Sequence, residues 1–369
     1  MTRSNLKGSH PQPLCDETLT HTLHPLVIRA RITGFKTKTT HYFMHSYHDL
    51  NAIKNLVHHD FEAVNQLIVR NLTSQVELIS ELCHHIIASG GKRLRPLMVL
   101  LAAKACGYTG TQHIDLAAAV EYFHTATLLH DDVVDESTLR RGQETANEIW
   151  GSKPCILVGD YLFTQAVQLM VGCKNLQILS LFSDIAHEIS CGELKQLNHR
   201  YNIHMSLEDY FDVIRSKTAL LFSASAALGG SVSHPTTETV AALSAYGLHV
   251  GNAFQLIDDA LDYCATSETL GKNIGDDLNN GKLTLPLLYA LQQSQGSQQK
   301  TIQQSIETGT RAHLDEILAI IEDTQAIPYT YRIAHQEIDK ALSALTLLED
   351  TEYKQGLIQL AQFAVSRDH

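Results

Sequence analysis

The 369-residue sequence has seven cysteines but no Cys-x-x-Cys pair and no dense cysteine framework. That excludes the common zinc-ribbon and disulfide-scaffold designs and suits a reducing compartment, with the thiols expected to be free. Basic residues are outnumbered, 28 against 40 acids for a formal charge of -12, so there is no general basic field to hold nucleic acid. Long hydrophobic runs are missing too. Although 44% of the residues are apolar, none of the runs reaches the roughly 18 uncharged apolar residues of a membrane span. Alternating strand patterns are scarce, and no self-similar period of the solenoid kind is present. A cytoplasmic protein without an integral membrane segment is the expectation.

What the sequence does contain is one helical pattern after another, beginning near residue 48. VELISELCHHIIAS (76–89) has apolar residues at three and four spacing; Gly90-Gly91 then supplies a stop and Pro96 a start. Further helices are expected over 113–137, 155–173, 176–196, 206–228, 237–263, 284–294, 299–323 and 331–365, which makes the fold class all-α. Two polar segments interrupt them, GGSVSHPTTE (229–238) and GKNIGDDLNNGKLT (271–284). Residues 1–43 stand apart, with six Lys or Arg against two acids and little periodicity. A disordered extension, or a true translation start at Met44, explains them better than a transit peptide, against which Asp16 and Glu17 count.

One internal echo carries chemistry: DDVVD at 131–135 returns as DDALD at 258–262. Helix positions i and i+4 lie about 40° apart around the axis and about 6 Å along it, so Asp131 and Asp135 share a face, as do Asp258 and Asp262. Like charges so placed repel, and a helix C-terminus adds the negative end of its dipole. A cation should be near. A single such cluster is as readily a solvated helix end, but two with the same spacing, each after an apolar helix, favour a metal site. Carboxylates without neighbouring Cys or His ligands suit a hard ion, magnesium above all, which completes its shell with water and phosphate oxygens. GGKRLRP (90–96) sets Lys92, Arg93 and Arg95 at a helix N-terminus, a composite anion site without Walker spacing, and Arg140-Arg141-Gly142 follows the first cluster closely.

These segments, with GDYLF (159–163), KTALLF (217–222), FQLIDDALDY and GKNIGDDLNNGKLTLPLLYA, resemble the trans-isoprenyl diphosphate synthases, or polyprenyl synthetases. The resemblance runs in order over about residues 48–367. Within that family the wording is most similar to the bacterial octaprenyl diphosphate synthases, the long-chain branch that makes quinone side chains. It implies a single-domain helical bundle around a deep central cavity over 44–369, usually in a homodimer, with the two aspartate motifs on opposite walls. It also implies the reaction, in which isopentenyl diphosphate is added to an allylic diphosphate such as farnesyl diphosphate.

Carried over by residue, the resemblance makes Asp131, Asp135, Asp258 and Lys217 the catalytic set. Asp131, Asp135 and Asp258 are implied to hold Mg2+, with Asp132, Asp259 and Asp262 in or near the shell. Arg140, Lys217, Thr218, Gln255 and Lys272 are implied to contact the allylic diphosphate, and Lys92, Arg95, His124 and Arg141 that of isopentenyl diphosphate. His124 by itself reads as a core histidine; it lies two turns before Asp131 on nearly the same face. Early-stopping members carry a bulky aromatic four or five residues before the first aspartate, where this chain has Thr127 and Ala126, so a long product is expected. Phe123, about 12 Å of helix below Asp131, is a candidate constriction. Two other readings are weighed. A class I terpene cyclase lacks the DDALD form and has no use for GGKRLRP, and a silent subunit usually loses one of the two motifs that this chain keeps.

Overall fold

The computed structural model describes residues 49–72, 75–88, 90–264 and 274–366. The extension 1–43, Met44 and Lys272 lie outside these. Helix α1 (Leu50–Asn55) starts at Asp49, whose carboxylate accepts from the Asn51 N–H. It leads through α2 (His58–Asn71) and α3 (Glu77–Ala88) to α4 (Leu94–Ala105) and the long α5 (Gln112–Val134). Next come α6 (Ala146–Trp150), α7 (Ser152–Gly172), α8 (Leu176–His199), α9 (Leu207–Ile214), α10 (Leu220–Ser231) and α11 (Thr237–Cys264). The short α12 (Asp276–Asn279) precedes α13 (Leu285–Gln293), α14 (Gly296–Thr308), α15 (Leu314–Asp323), α16 (Ala326–Ala344) and α17 (Glu352–Ser366).

The expected all-α class is what the chain adopts. Helices α4 and α10 are apolar on nearly every side and correspondingly buried along almost their whole length, as a helix without a polar stripe must be. They pack against each other, both meet α5, and α10 lies against α11, which places the two aspartate motifs on helices sharing one core. Each large apolar side chain removed from water there contributes about 1.5–3 kcal/mol. Alanine, serine and glycine dominate α10 because α11 runs close against it. At Gly247 an added Cβ would lie 2.8 Å from Ser223 Cα, inside any permissible carbon contact.

Several expectations are corrected. The expected helix 299–323 is two, α14 and α15, because Gly309 turns left-handed (φ +58) and caps the first. The expected helix 331–365 is also two. It breaks after a 3-10 turn at Leu345–Leu347 and restarts where the Thr351 hydroxyl accepts from the Lys354 N–H, an N-cap. A small hairpin also stands after the first motif: Leu139–Arg140 pairs antiparallel with Gln143–Glu144 across Arg141 (φ 54) and Gly142 (φ 76). Two consecutive left-handed residues make the tight turn that hairpins favour, but strands of two residues are too short to show an alternation. Finally, α7 carries only Lys153 and Asp160 as charges. By length and composition it is the one helix among the described residues apolar enough to cross a membrane, although only 33% of the relevant window is buried.

Candidate active site

Helix α5 delivers the first motif at its C-terminal end. Asp135 is the cap residue, and its N–H still bonds to the Asp131 carbonyl at 2.8 Å, so the helical spacing of the two carboxylates survives. Their repulsion is relieved by the protein's own cations. Asp131 Oδ2 lies 3.3 Å from Lys217 Nζ. Asp135 accepts from Lys282 Nζ at 2.8 Å and from the Arg200 guanidinium. Burial pushes the Asp135 carboxyl up, but Lys282, Lys217 and Arg200 outweigh it and hold the pKa below its ordinary value. Burial likewise opposes the Lys217 charge, yet Asp131, Glu193 and Asp135 raise its pKa above that of an ordinary lysine.

Asp132 behaves differently from its neighbours. It is buried, and Arg140, carried on the hairpin, grips it through Nε (3.0 Å to each oxygen) and Nη2 (2.6 Å). This two-pronged pair aligns the Arg140 guanidinium with the first motif. On α11, Asp259 is similarly taken up: the Tyr210 hydroxyl donates to it at 2.6 Å and Gln255 Nε2 at 2.8 Å. Burial and the nearby Asp277 push its carboxyl up to about 8 against those hydrogen bonds. Asp258 is partly buried; Asp262 is fully buried and accepts from the Asp277 N–H at 3.2 Å.

Thr218 donates to Gln255 Oε1 at 2.9 Å, which fixes that amide with its oxygen toward α10 and its nitrogen toward Asp259. A cavity of about 110 Å3 opens here, lined among others by Lys217, Thr218, Gln255, Asp259, Lys282 and Tyr210. Among the described residues no three acidic, Cys or His side chains converge to cage a metal by themselves. The donors present are carboxylates beside clustered cations, which fits an ion sharing its shell with water and ligand phosphate.

The second basic group lies along α4 and α5. Arg95 Nη1 donates to His124 Nε2 at 3.1 Å, and its guanidinium lies 4.2 Å from the centre of the Phe222 ring. Burial lowers the His124 pKa well below its ordinary value, and Arg95, Arg141 and Arg140 lower it further, so the ring is a neutral acceptor. The Arg141 guanidinium packs against Gly91, where a Cβ would come within 3.0 Å of Nη1, and Lys92 Nζ lies 5.6 Å from the Phe363 ring centre. Down α5, Ala126 is buried and Thr127 half-buried, while the Phe123 ring meets Phe163 (5.8 Å) and Phe182 (5.3 Å) in an aromatic cluster.

Sequence reasoning missed Arg200, Glu193, Gln196, Tyr210 and Lys282. Lys282 stood within a quoted motif. Glu193 and Gln196 were legible only as an i, i+3 pair on a polar helix face; Arg200 and Tyr210 gave no signal.

Comparisons with known proteins identify the family. The polyprenyl synthetase family profile matches residues 76–323. The octaprenyl diphosphate synthase of Escherichia coli (strain K12) is 45% identical over 321 residues, covering 87% of this chain and 99% of that protein. The geranyl-diphosphate-specific all-trans-nonaprenyl-diphosphate synthase of Rhodobacter capsulatus is 43% identical, over 84% of this chain and 95% of its own. A polyprenyl synthase from Caulobacter crescentus CB15, solved with calcium and isoprenyl diphosphate, superposes with a TM-score of 0.85 at 40% identity, over 88% of this chain and all of that one. With a family profile over most of its core and relatives matched almost end to end, the chain belongs to the polyprenyl synthetase family, prenyltransferases of the all-α isoprenoid synthase fold.

Proposed function

We propose that the protein is a long-chain trans-polyprenyl diphosphate synthase that adds isopentenyl diphosphate repeatedly to an allylic primer, farnesyl diphosphate, and ends near eight isoprene units. One observation carries the reading: both aspartate motifs are intact on α5 and α11, with separate basic clusters beside them. In each cycle the allylic carbon–oxygen bond breaks, a carbon–carbon bond forms to isopentenyl diphosphate, and the proton released goes to the departing diphosphate. Asp131, Asp135 and Asp258 would hold magnesium, which would supply charge neutralisation as that bond ionises. Lys217 and Arg140 add protein charge on the same side, and Thr218 and Gln255 orient the ligand. Lys272 is assigned there from the resemblance alone.

Lys92, Arg95 and Arg141 bind the diphosphate that is not ionised and needs no metal. Neutral His124 keeps the Arg95 guanidinium aimed at it. The growing chain descends past Thr127 and Ala126, and the Phe123, Phe163 and Phe182 cluster is the floor that limits its length. Ile156, Leu157, Phe163 and Val171 leave an apolar face of α7 exposed, which supports a homodimer rather than a membrane span.

Purified protein incubated with farnesyl diphosphate, labelled isopentenyl diphosphate and magnesium is expected to yield a product near eight units by chromatography. Failure to incorporate label, or consumption of farnesyl diphosphate alone, overturns the reading.

A further inference from the structure

Lys217 does not stand on a regular helix. Arg215–Ala219 forms one π-helical turn between α9 and α10, an irregularity that re-aims side chains and is frequent at functional sites. Helix α8 meets this turn at Gly192. A Cβ there would lie 2.4 Å from Ser216 Cβ, 3.0 Å from the Ser216 carbonyl carbon and 3.2 Å from the Lys217 nitrogen, so only glycine admits this approach. The contact puts the next residue of α8, Glu193, and Gln196 one turn on, against the lysine head. Lys217 Nζ donates to Glu193 Oε2 at 2.8 Å and to Gln196 Oε1 at 2.8 Å.

An ammonium has three donors and, at the end of four methylenes, much rotamer entropy to lose when it is aimed. Two of its donors are committed to α8. The remaining direction is toward Asp131, 3.3 Å away, in the wall that the proposed reaction uses. We propose that Glu193, assisted by Gln196, is a positioning residue: it holds Lys217 by two of its three N–H groups so that the third meets the departing diphosphate. This rests on the function proposed above, and it goes beyond the roles assigned to the motifs quoted above, none of which includes Glu193.

Two measurements on the full-length protein test it. The first is a double-mutant cycle of Glu193→Leu with Lys217→Met. Glu193→Leu is expected to lower kcat about tenfold with the KM for isopentenyl diphosphate within about twofold, and to add less than about twofold in the Lys217→Met background. Glu193→Gln, which keeps an oxygen acceptor, should recover most of the loss. Additive effects, or equal losses in Glu193→Gln and Glu193→Leu, overturn the proposal. If Glu193→Leu does not fold, Gln196→Leu carries the same cycle with the same outcomes.

The second measurement is calorimetric titration with inorganic diphosphate and magnesium after isopentenyl diphosphate has saturated its own site, which needs no turnover. A positioning carboxylate predicts weaker diphosphate binding in Glu193→Leu. A carboxylate that merely competes for the lysine predicts tighter binding, and tighter or unchanged affinity sinks the idea. The function itself is judged separately, because its failure would appear as wild-type protein that incorporates no isopentenyl diphosphate.

Discussion

Substituting Gly251 by alanine tests whether the seam between the π-helical turn and α11 sets the active geometry. The added Cβ would lie 2.5 Å from Ala219 Cα, 2.9 Å from its Cβ and 3.2 Å from its carbonyl oxygen. Carbon atoms settle at about 3.5–4.0 Å, so the two helices must part by about 1 Å. Overpacking of this kind costs about 1–3 kcal/mol, and the better helix propensity of alanine returns at most about 1 kcal/mol. A net loss of about 1–2 kcal/mol is expected, a few degrees in Tm for a chain of this size. The larger effect is local. One turn beyond Gly251, Gln255 Oε1 accepts from Thr218 at 2.9 Å across the same seam. Parting the helices by about 1 Å takes that bond beyond hydrogen-bonding range and shifts Lys217 relative to Asp258, for which about a hundredfold loss of kcat/KM is expected. Urea unfolding and isopentenyl incorporation read the two effects. Gly172→Ala, at a helical glycine with nothing within 4 Å of the new Cβ, is the control and should be neutral or slightly stabilising. Wild-type activity and an unchanged midpoint in Gly251→Ala would refute the reasoning.

Asp131→Asn or Asp258→Asn is expected to lower turnover by about a hundredfold or more, the scale of losing one stabilising contact to developing charge; near-normal label incorporation speaks against the assignment. Ala126→Phe should shorten the product to about three or four units by filling the passage beside α5, and chromatography showing an unchanged chain length would place the floor elsewhere. Glu337 gives a pH-dependent stability test. It is buried, yet hydrogen bonds from His249 (2.8 Å), Lys340 (2.6 Å) and Asn252 (2.9 Å) outweigh that burial and pull its pKa down to about 2. A depressed carboxylate stabilises the fold above its unfolded pKa and loses that contribution as pH falls toward the folded one. Glu337→Gln should therefore cost about 1–3 kcal/mol at pH 7, discounted for the exposure of Lys340, with the gap closing between about pH 5 and pH 2. A gap that does not change with pH contradicts the linkage.

The helices were legible because periodicity survives wherever one face is buried, and α5, α8 and α11 end within a few residues of expectation. The breaks in the late helices were not, since Gly309 and Thr351 act through a left-handed cap and a side-chain cap that leave the apolar pattern nearly continuous. The site divides in the same way. Residue types and helical spacing identified the aspartates and the basic clusters, and the Arg95–His124 contact joined two residues assigned to one ligand. The partners of those groups were hidden. Asp135 meets Arg200 and Lys282 across 65 and 147 residues of chain, contacts set by how α8 and the segment before α13 pack rather than by any local pattern.

Those hidden partners change the electrostatic problem posed by the sequence. Two carboxylates on one face of a helix end demand a cation, and a metal ion was the natural candidate. The protein already provides the cations: Asp131 stands against Lys217, and Asp135 against Arg200 and Lys282, while Glu193, whose carboxyl burial and Asp131 push up to about 7, adds a further acceptor for Lys217. In the reaction proposed above, binding would then be an exchange of partners: Asp131 and Asp135 would hold the metal, and Lys217, Arg200 and Lys282 would be released to phosphate. Such an exchange avoids the cost of leaving a half-buried charge unpaired at any stage, a cost that runs to several kcal/mol per ion. It also explains why cations from three different elements converge on a single carboxylate pair. In the proposed reaction the same groups must neutralise the first motif when diphosphate leaves and meet diphosphate when it returns, once for every isoprene unit added.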